Sequence, residues 1–150
     1  MENQKFKTIF NNISTNYGFE KKYGSWLKKS EECLIVLELQ KSNYGNYYQL
    51  NIKVFIQGLF EKSHKLSKDL VKTATPAVLG GELSSHRDIF DLDKKIDDKE
   101  RVRKLEKAFE EYIIPCTKNM LTKKGIIELY KSKEVFLLPA VKKELGISEI

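Results

Sequence analysis

Cysteine is scarce. Only Cys33 and Cys116 occur in 150 residues, and no C-x-x-C pair is present. That excludes a disulfide framework and a thiolate zinc site, and predicts two reduced, partly buried thiols. Histidine is as rare. His64 and His86 are the only two, and neither has a Cys or His at ligand spacing. No metal or other cofactor is therefore expected. The phosphate-cradling patterns G-x-G-x-x-G and GK[ST] are missing, so Gly80-Gly81 reads as a turn. Long apolar runs are missing too. The longest, "LIVL" and "VFLL", fall far short of a bilayer span. The opening "MENQKFKTIF" has no apolar signal core. These absences predict a cytoplasmic protein that does not engage a membrane. No internal repeat or low-complexity tract is visible.

What is present suits one globular domain. The chain is 41% hydrophobic and 32% charged, with net charge +6, enough apolar content for a core without staples. The lysine surplus favours acidic partners or polyanions through long-range attraction.

Residues 4–17 read as a helix. Phe6, Ile9, Phe10, Ile13 and Tyr17 form one stripe, Asn3 is the candidate cap, and Gly18 the stop. Residues 19–29, rich in aromatics, read as an edge strand bulged near Gly24. Ser30-Glu31-Glu32 is a turn. Strands are expected over 33–41 and 47–57. Centring their hairpin on Tyr44-Gly45 pairs 39 with 50, 37 with 52 and 35 with 54. Ile35, Leu37, Leu39, Leu50, Ile52 and Val54 then share one face. The opposite face collects Glu38, Gln40, Ser42, Gln49, Asn51 and Lys53.

Beyond the hairpin, "SKDLVKTA" predicts a short helix capped by Ser67, interrupted afterwards by Pro76 and Gly80-Gly81. A further strand is expected over 82–92. From Lys99 a long helix carries Val102, Leu105, Phe109, Tyr112, Ile113, Cys116 and Met120, with Pro115 kinking or dividing it near Tyr112. Gly125 should separate it from a short helix bearing Ile126, Ile127, Leu129 and Tyr130. A last helix should start at Pro139 and stop at Gly146. This order predicts a single α+β domain over 1–150. Its antiparallel sheet of about four or five strands would carry an N-terminal helix and C-terminal helices on one face.

Three clusters lack the pattern that would make their chemistry specific. Ser84-Ser85-His86-Arg87-Asp88 contains triad residue types, but neighbours on an extended chain point to opposite faces and cannot converge. Arg87 and Asp88 are expected in structural ion pairs. Asp91, Asp93, Asp97 and Asp98 lack the glycine and terminal glutamate of a calcium loop and suit a helix start. Lysines cluster at 21–22, 28–29, 62, 65, 68, 72 and 142–143, but no recognition-helix, KH or RNP pattern accompanies them.

The remaining candidate is the polar hairpin face. Asn and Gln both donate and accept, which suits a binding surface, and Tyr44, Tyr47 and Tyr48 add large contacts of low entropy cost. The ordinary alternative is the solvated side of an antiparallel sheet. Glu38, Gln40, Ser42, Tyr44, Tyr47, Gln49, Asn51 and Lys53 are the candidate partner- or ligand-binding residues, and no catalytic residue is assigned.

Gly18-Phe19, Trp26, the triplet Gln40-Lys41-Ser42 and Asn51 also stand where a bacterial family, domain of unknown function 4304, has a Gly-Phe opening, an aromatic strand, a Gln-Lys-Ser strand end and a following Asn. The chain resembles that family over roughly its first 60 residues. Further on, "HRDIFDLD" and the long helix follow in the same order. The resemblance implies a compact cytoplasmic α+β domain and brings no activity with it. It directs attention to Gln40, Ser42 and Asn51. The expected function is a non-catalytic module that binds another protein, immunity- or antitoxin-like by analogy. The alternatives are nucleic-acid binding by a basic, tyrosine-bearing surface and a small-ligand enzyme using Glu38. No oligomeric state follows from the sequence.

Overall fold

The computed structural model describes residues 1–81 and 84–147. Helix α1 spans Asn3–Asn16 and buries Phe6, Phe10 and Ile13. Its cap is Glu2, without a side-chain bond, rather than Asn3, which is already helical. The C-terminus closes as expected at Gly18, whose φ is 92°. Gly18 N–H donates to the Thr15 carbonyl and Phe19 N–H to the Ser14 carbonyl. This double bond pattern satisfies the last turn and needs a left-handed residue at Gly18.

Residues 19–29 depart from expectation. They form two strands, β1 (Glu20–Lys22) and β2 (Ser25–Lys29), paired antiparallel. The cause is Tyr23-Gly24, with φ of 53° and 74°. Two successive left-handed residues make the tight turn whose twist matches a hairpin, so the chain reverses where a bulge was anticipated.

Strands β3 (Cys33–Lys41) and β4 (Tyr48–Ile56) pair Leu39 with Leu50, Leu37 with Ile52 and Ile35 with Val54. The inferred register holds. Val78–Gly81 forms β5, so Gly80-Gly81 lies in a strand and not in a turn. Glycine suits that edge because a Cβ on Gly81 would come within 2.8 Å of the Leu50 carbonyl oxygen. The sheet is antiparallel with strands in chain order, β1 to β5.

One face carries the main core. Phe6, Phe10, Trp26, Ile35, Leu37, Leu50, Ile52, Val54, Phe109 and Met120 belong to it. Phe10 meets Trp26 and Phe109 edge-on, with ring centroids 4.6 and 5.3 Å away. The second face is not bare. Helix α2 (Lys68–Thr73), capped by Ser67 Oγ accepting from Leu70 N–H, lays Leu70 and Val71 over Leu27, Leu34, Val36 and Phe55.

The strand expected over 82–92 is replaced, within the described residues, by a 3-10 turn at Ser84–His86 and helix α3, Arg87–Phe90; residues 82–83 lie outside them. Ile89, Phe90 and Leu92 are buried, and among the described residues of this stretch only Asp91 keeps strand pairing, as a single bridge to Tyr47. This connection is held from below by Arg101, on helix α4 (Asp98–Ala108). Its Nη1 donates to the carbonyls of Asp88 and Ile89 at 3.0 and 2.6 Å, and its Nη2 to that of Lys94 at 2.9 Å.

The long helix is divided close to Tyr112, as Pro115 predicts. A π turn, Phe109–Ile113, joins α4 to α5 (Ile114–Met120). Proline lacks an N–H, and a widened turn is one way to accommodate the lost bond. Helix α6 (Lys123–Lys131) begins at the Thr122 cap, so Gly125 lies within its first turn rather than before it. A Cβ there would overlap the Asn119 carbonyl oxygen. Glycine is therefore what lets α6 turn tightly against α5. Helix α7 spans Pro139–Glu144, and Gly146 follows it with φ of 76°.

Candidate functional site

The eight residues singled out from sequence fall into two structures. Glu38, Gln40, Asn51 and Lys53 converge. Pairing across β3 and β4 sets Glu38 opposite Asn51, and the amide of Asn51 donates to Glu38 Oε1 at 3.0 Å and Gln40 Oε1 at 2.9 Å. The Lys53 ammonium donates to Glu38 Oε2 at 3.0 Å and to the Val71 carbonyl at 3.2 Å. The Lys53–Glu38 pair is largely withdrawn from water, with side chains 12% and 18% exposed. Low local polarity strengthens such bonds and makes each of them costly to break. Lys53 also ties the sheet to the C-terminal end of α2, where carbonyls lack intrahelical partners.

This network floors an open groove of about 690 Å³. One wall is the α2–β5 connection, including Lys72, Thr73, Thr75 and Pro76, and the other end is flanked by Gln49 and Leu79. The polar face is thus neither wholly solvated nor wholly buried. Its half nearer the 33–36 end of β3 is apolar and covered by α2; its half nearer the turn is amide-rich and open.

Ser42, Tyr44 and Tyr47 belong instead to the turn. Ser42 N–H donates to the Tyr47 carbonyl at 2.9 Å, and Ser42 Oγ accepts from Tyr44 N–H at 3.0 Å. Asn46 adds two ties to the connection before α4: its carbonyl accepts from Leu92 N–H at 2.9 Å, and its N–H donates to Asp93 Oδ2 at 3.3 Å. The Tyr47 ring lies over Gly45, where a Cβ would stand 3.1 Å from it. Tyr44 is left 95% exposed. Tyr48, grouped with these two by sequence, turns the other way. It is buried and stacks on Phe6 at 5.8 Å.

The other clusters settle as structure. Asp88 pairs with Lys94 at 2.8 Å, whereas Arg87, also expected in an ion pair, forms none among the described residues. Asp98 pairs with Lys5 at 2.6 Å. Among the described residues no group of His, Cys, Asp and Glu is arranged to hold a metal, and no helix is long and apolar enough to cross a membrane. Both cysteines are free and buried. Burial, reinforced by the Glu32 carboxylate, pushes the Cys33 thiol up to about 12. Burial and Glu134 push Cys116 up to about 11.

Sequence reasoning missed the groove's outer wall. The signal was present in "LIVL", which is apolar at four successive positions. A strand that faces water on one side alternates, so an unbroken run requires both faces to be covered. The helix at 68–73 was the available cover.

These features define a class: an α+β domain in which a five-stranded antiparallel meander bears helices on one face and, among the described residues, the short helix α2 on part of the other. The family model for the domain of unknown function DUF4304 matches residues 10–119, and the chain belongs to that family. The match runs well past the N-terminal segment that carries the visible motifs. No curated protein and no solved structure is matched.

Proposed function

We propose that the chain is a cytoplasmic, non-catalytic protein-interaction module, of the immunity or antitoxin kind, whose contact surface is the β3–β4 turn and the amide-rich groove beside it. The supporting observation is the display of Tyr44 on a turn whose backbone is tied down. Its turn is tied internally through Ser42 and externally through Asn46, yet the ring itself is almost fully exposed. A tyrosine on a tied backbone has few rotatable bonds to immobilise when it docks, and such residues carry much of the energy of protein interfaces. Glu38 is a poor general acid or base beside this, because its two oxygens already accept from Asn51 and Lys53.

A photo-crosslinker placed at position 44 in cells of the native host tests the proposal, with position 106 as control. One defined protein should be captured from 44 and not from 106. In the purified complex Tyr44→Ala should weaken affinity by about tenfold or more. Unchanged affinity, or a protein that stays uncomplexed in its own cells, overturns the proposal. Retention on single-stranded oligonucleotides that collapses as salt rises would instead mark the lysine surface as the functional one.

A further inference from the structure

We propose that the cavity between the β1–β2 hairpin and residues 57–66 binds a small organic acid. Its carboxylate would be held by Lys22, Lys29 and His64, and its apolar body would lie on Leu27, Leu34 and Leu66. The cavity measures about 320 Å³ and is lined by these residues together with Glu20, Lys28, Ser30 and Gln57. That volume is at the small end of ligand sites.

Strand register explains how basic and apolar groups meet here. Glu20 pairs with Leu27, and Lys29 with Leu34. Alternation then carries Glu20, Lys22, Leu27, Lys29 and Leu34 to the second face of the sheet. Leu27 and Leu34, almost fully buried, close the bottom of the cavity, Leu66 supplies its exposed apolar side, and the lysines stand at its edge with long, movable stems.

His64 is placed by a separate device. The Gln57 side-chain amide donates to the His64 carbonyl at 2.9 Å and accepts from the His64 N–H at 2.7 Å. A side chain here does what a neighbouring strand would do. Between them Gly58 N–H donates to the Lys62 carbonyl at 2.7 Å and closes the loop. The imidazole rests 5.5 Å from the Phe55 ring. Both walls are therefore held without a ligand, which reduces the ordering cost of binding.

Charge selects the ligand. Lys22, Lys29 and Glu20 form no ion pair among the described residues. The Lys22 ammonium lies 5.9 Å from the Tyr23 ring. Lys28 is engaged elsewhere, donating to the Tyr17 carbonyl at 2.9 Å and lying over Phe19. Three ammonium groups, Lys28 included, stand against the one carboxylate of Glu20, so the cavity carries an excess of positive charge and favours an anion. The exposed Leu66 side chain favours an anion that brings apolar surface to bury.

Titration of the isotope-labelled protein with acetate, hexanoate and inorganic phosphate, followed by amide resonances, is the test. Hexanoate should shift resonances of residues 27–34 and 57–66, and should bind at least about tenfold more tightly than acetate, which lacks its buried methylenes. Lys22→Gln with Lys29→Gln should weaken hexanoate about threefold or more. Leu66→Ser should weaken hexanoate and leave acetate unchanged. The proposal fails if phosphate equals hexanoate, if shifts spread over lysines across the whole surface, or if the lysine pair can be removed without loss.

Discussion

The guanidinium of Arg101 meets the carbonyl oxygen of Ile89 at 2.6 Å. It is 1% exposed, and among the described residues no carboxylate forms an ion pair with it. Three backbone carbonyls take the place of a counter-ion, so this charge serves to fold the connection between β5 and α4 rather than to bind anything from outside. Burial lowers the arginine's proton affinity, opposed by Asp91, Asp98 and Asp88 nearby.

Arg101→Leu should therefore lower stability by about 2–4 kcal/mol, since it strands buried carbonyls without donors. Urea unfolding measures this. Arg101→Lys should recover only part of the loss, because one ammonium cannot reproduce the planar fork. Equal stability of Arg101→Leu and the natural protein would refute the role.

Asn51 is the joint of the polar network. Asn51→Asp sets a carboxylate against the oxygens of Glu38 and Gln40 that now accept from the amide. A cost of about 1–3 kcal/mol is expected at neutral pH. The cost should shrink in acid, where a protonated carboxyl can donate again. Unfolding curves at two pH values decide it, and a pH-independent difference counts against the network.

Gly125→Ala should be among the most damaging small substitutions. The added methyl overlaps the Asn119 carbonyl oxygen, and backbone cannot move aside as a flexible side chain would. A loss above about 2 kcal/mol is expected from such overpacking. A melting temperature within a degree or two of the natural one would show that α6 swings clear at little cost.

The two thiols should resist modification. With Cys33 pushed to about 12 and Cys116 to about 11, few thiolates exist at pH 8, and both groups are buried. Reaction with a disulfide reagent should be slower by at least about a hundredfold in the folded protein than in the unfolded one. Rapid labelling of either cysteine under native conditions would contradict the burial described.

The hydrogen bond from Lys5 holds the Asp98 carboxyl below its ordinary 3.8. A carboxyl with a depressed folded value stabilises the fold above its unfolded pKa, and that contribution is lost as pH falls through the folded value. In Lys5→Met the Asp98 midpoint, followed by carboxyl carbon shifts, should rise toward 3.8. An unmoved midpoint would separate the two residues in solution.

Much of this was legible from residues alone where a pattern is local. The β3–β4 register followed from alternation, α1 from its aromatic stripe, and the Ser67 cap from a short polar signature. Tyr23-Gly24 was misread because a bulge and a two-residue turn share the same glycine signal; only the left-handed Tyr23 separates them. Residues 84–90 were misread as strand because Ile89 and Phe90 are buried by contacts from distant elements, which local periodicity does not report. The site was half legible for the same reason. Pairing brought Glu38, Gln40 and Asn51 together on paper, while the wall opposite them depends on where α2 docks, and only tertiary packing decides that.

The strands lie side by side in the order in which they leave the ribosome. The second, third and fourth can each zip onto the strand before through a short reversal, so most of the sheet assembles from contacts close in sequence, a topology associated with fast folding. The last strand is different. It is separated from β4 by residues 57–77, which include α2, and its pairing must close that longer loop. Assembly thus has an expected order, a four-stranded sheet first and its closing edge afterwards. Pulsed hydrogen exchange should find amides of β3 and β4 protected before those of β5; simultaneous protection would mean the crossing segment docks as the hairpin forms.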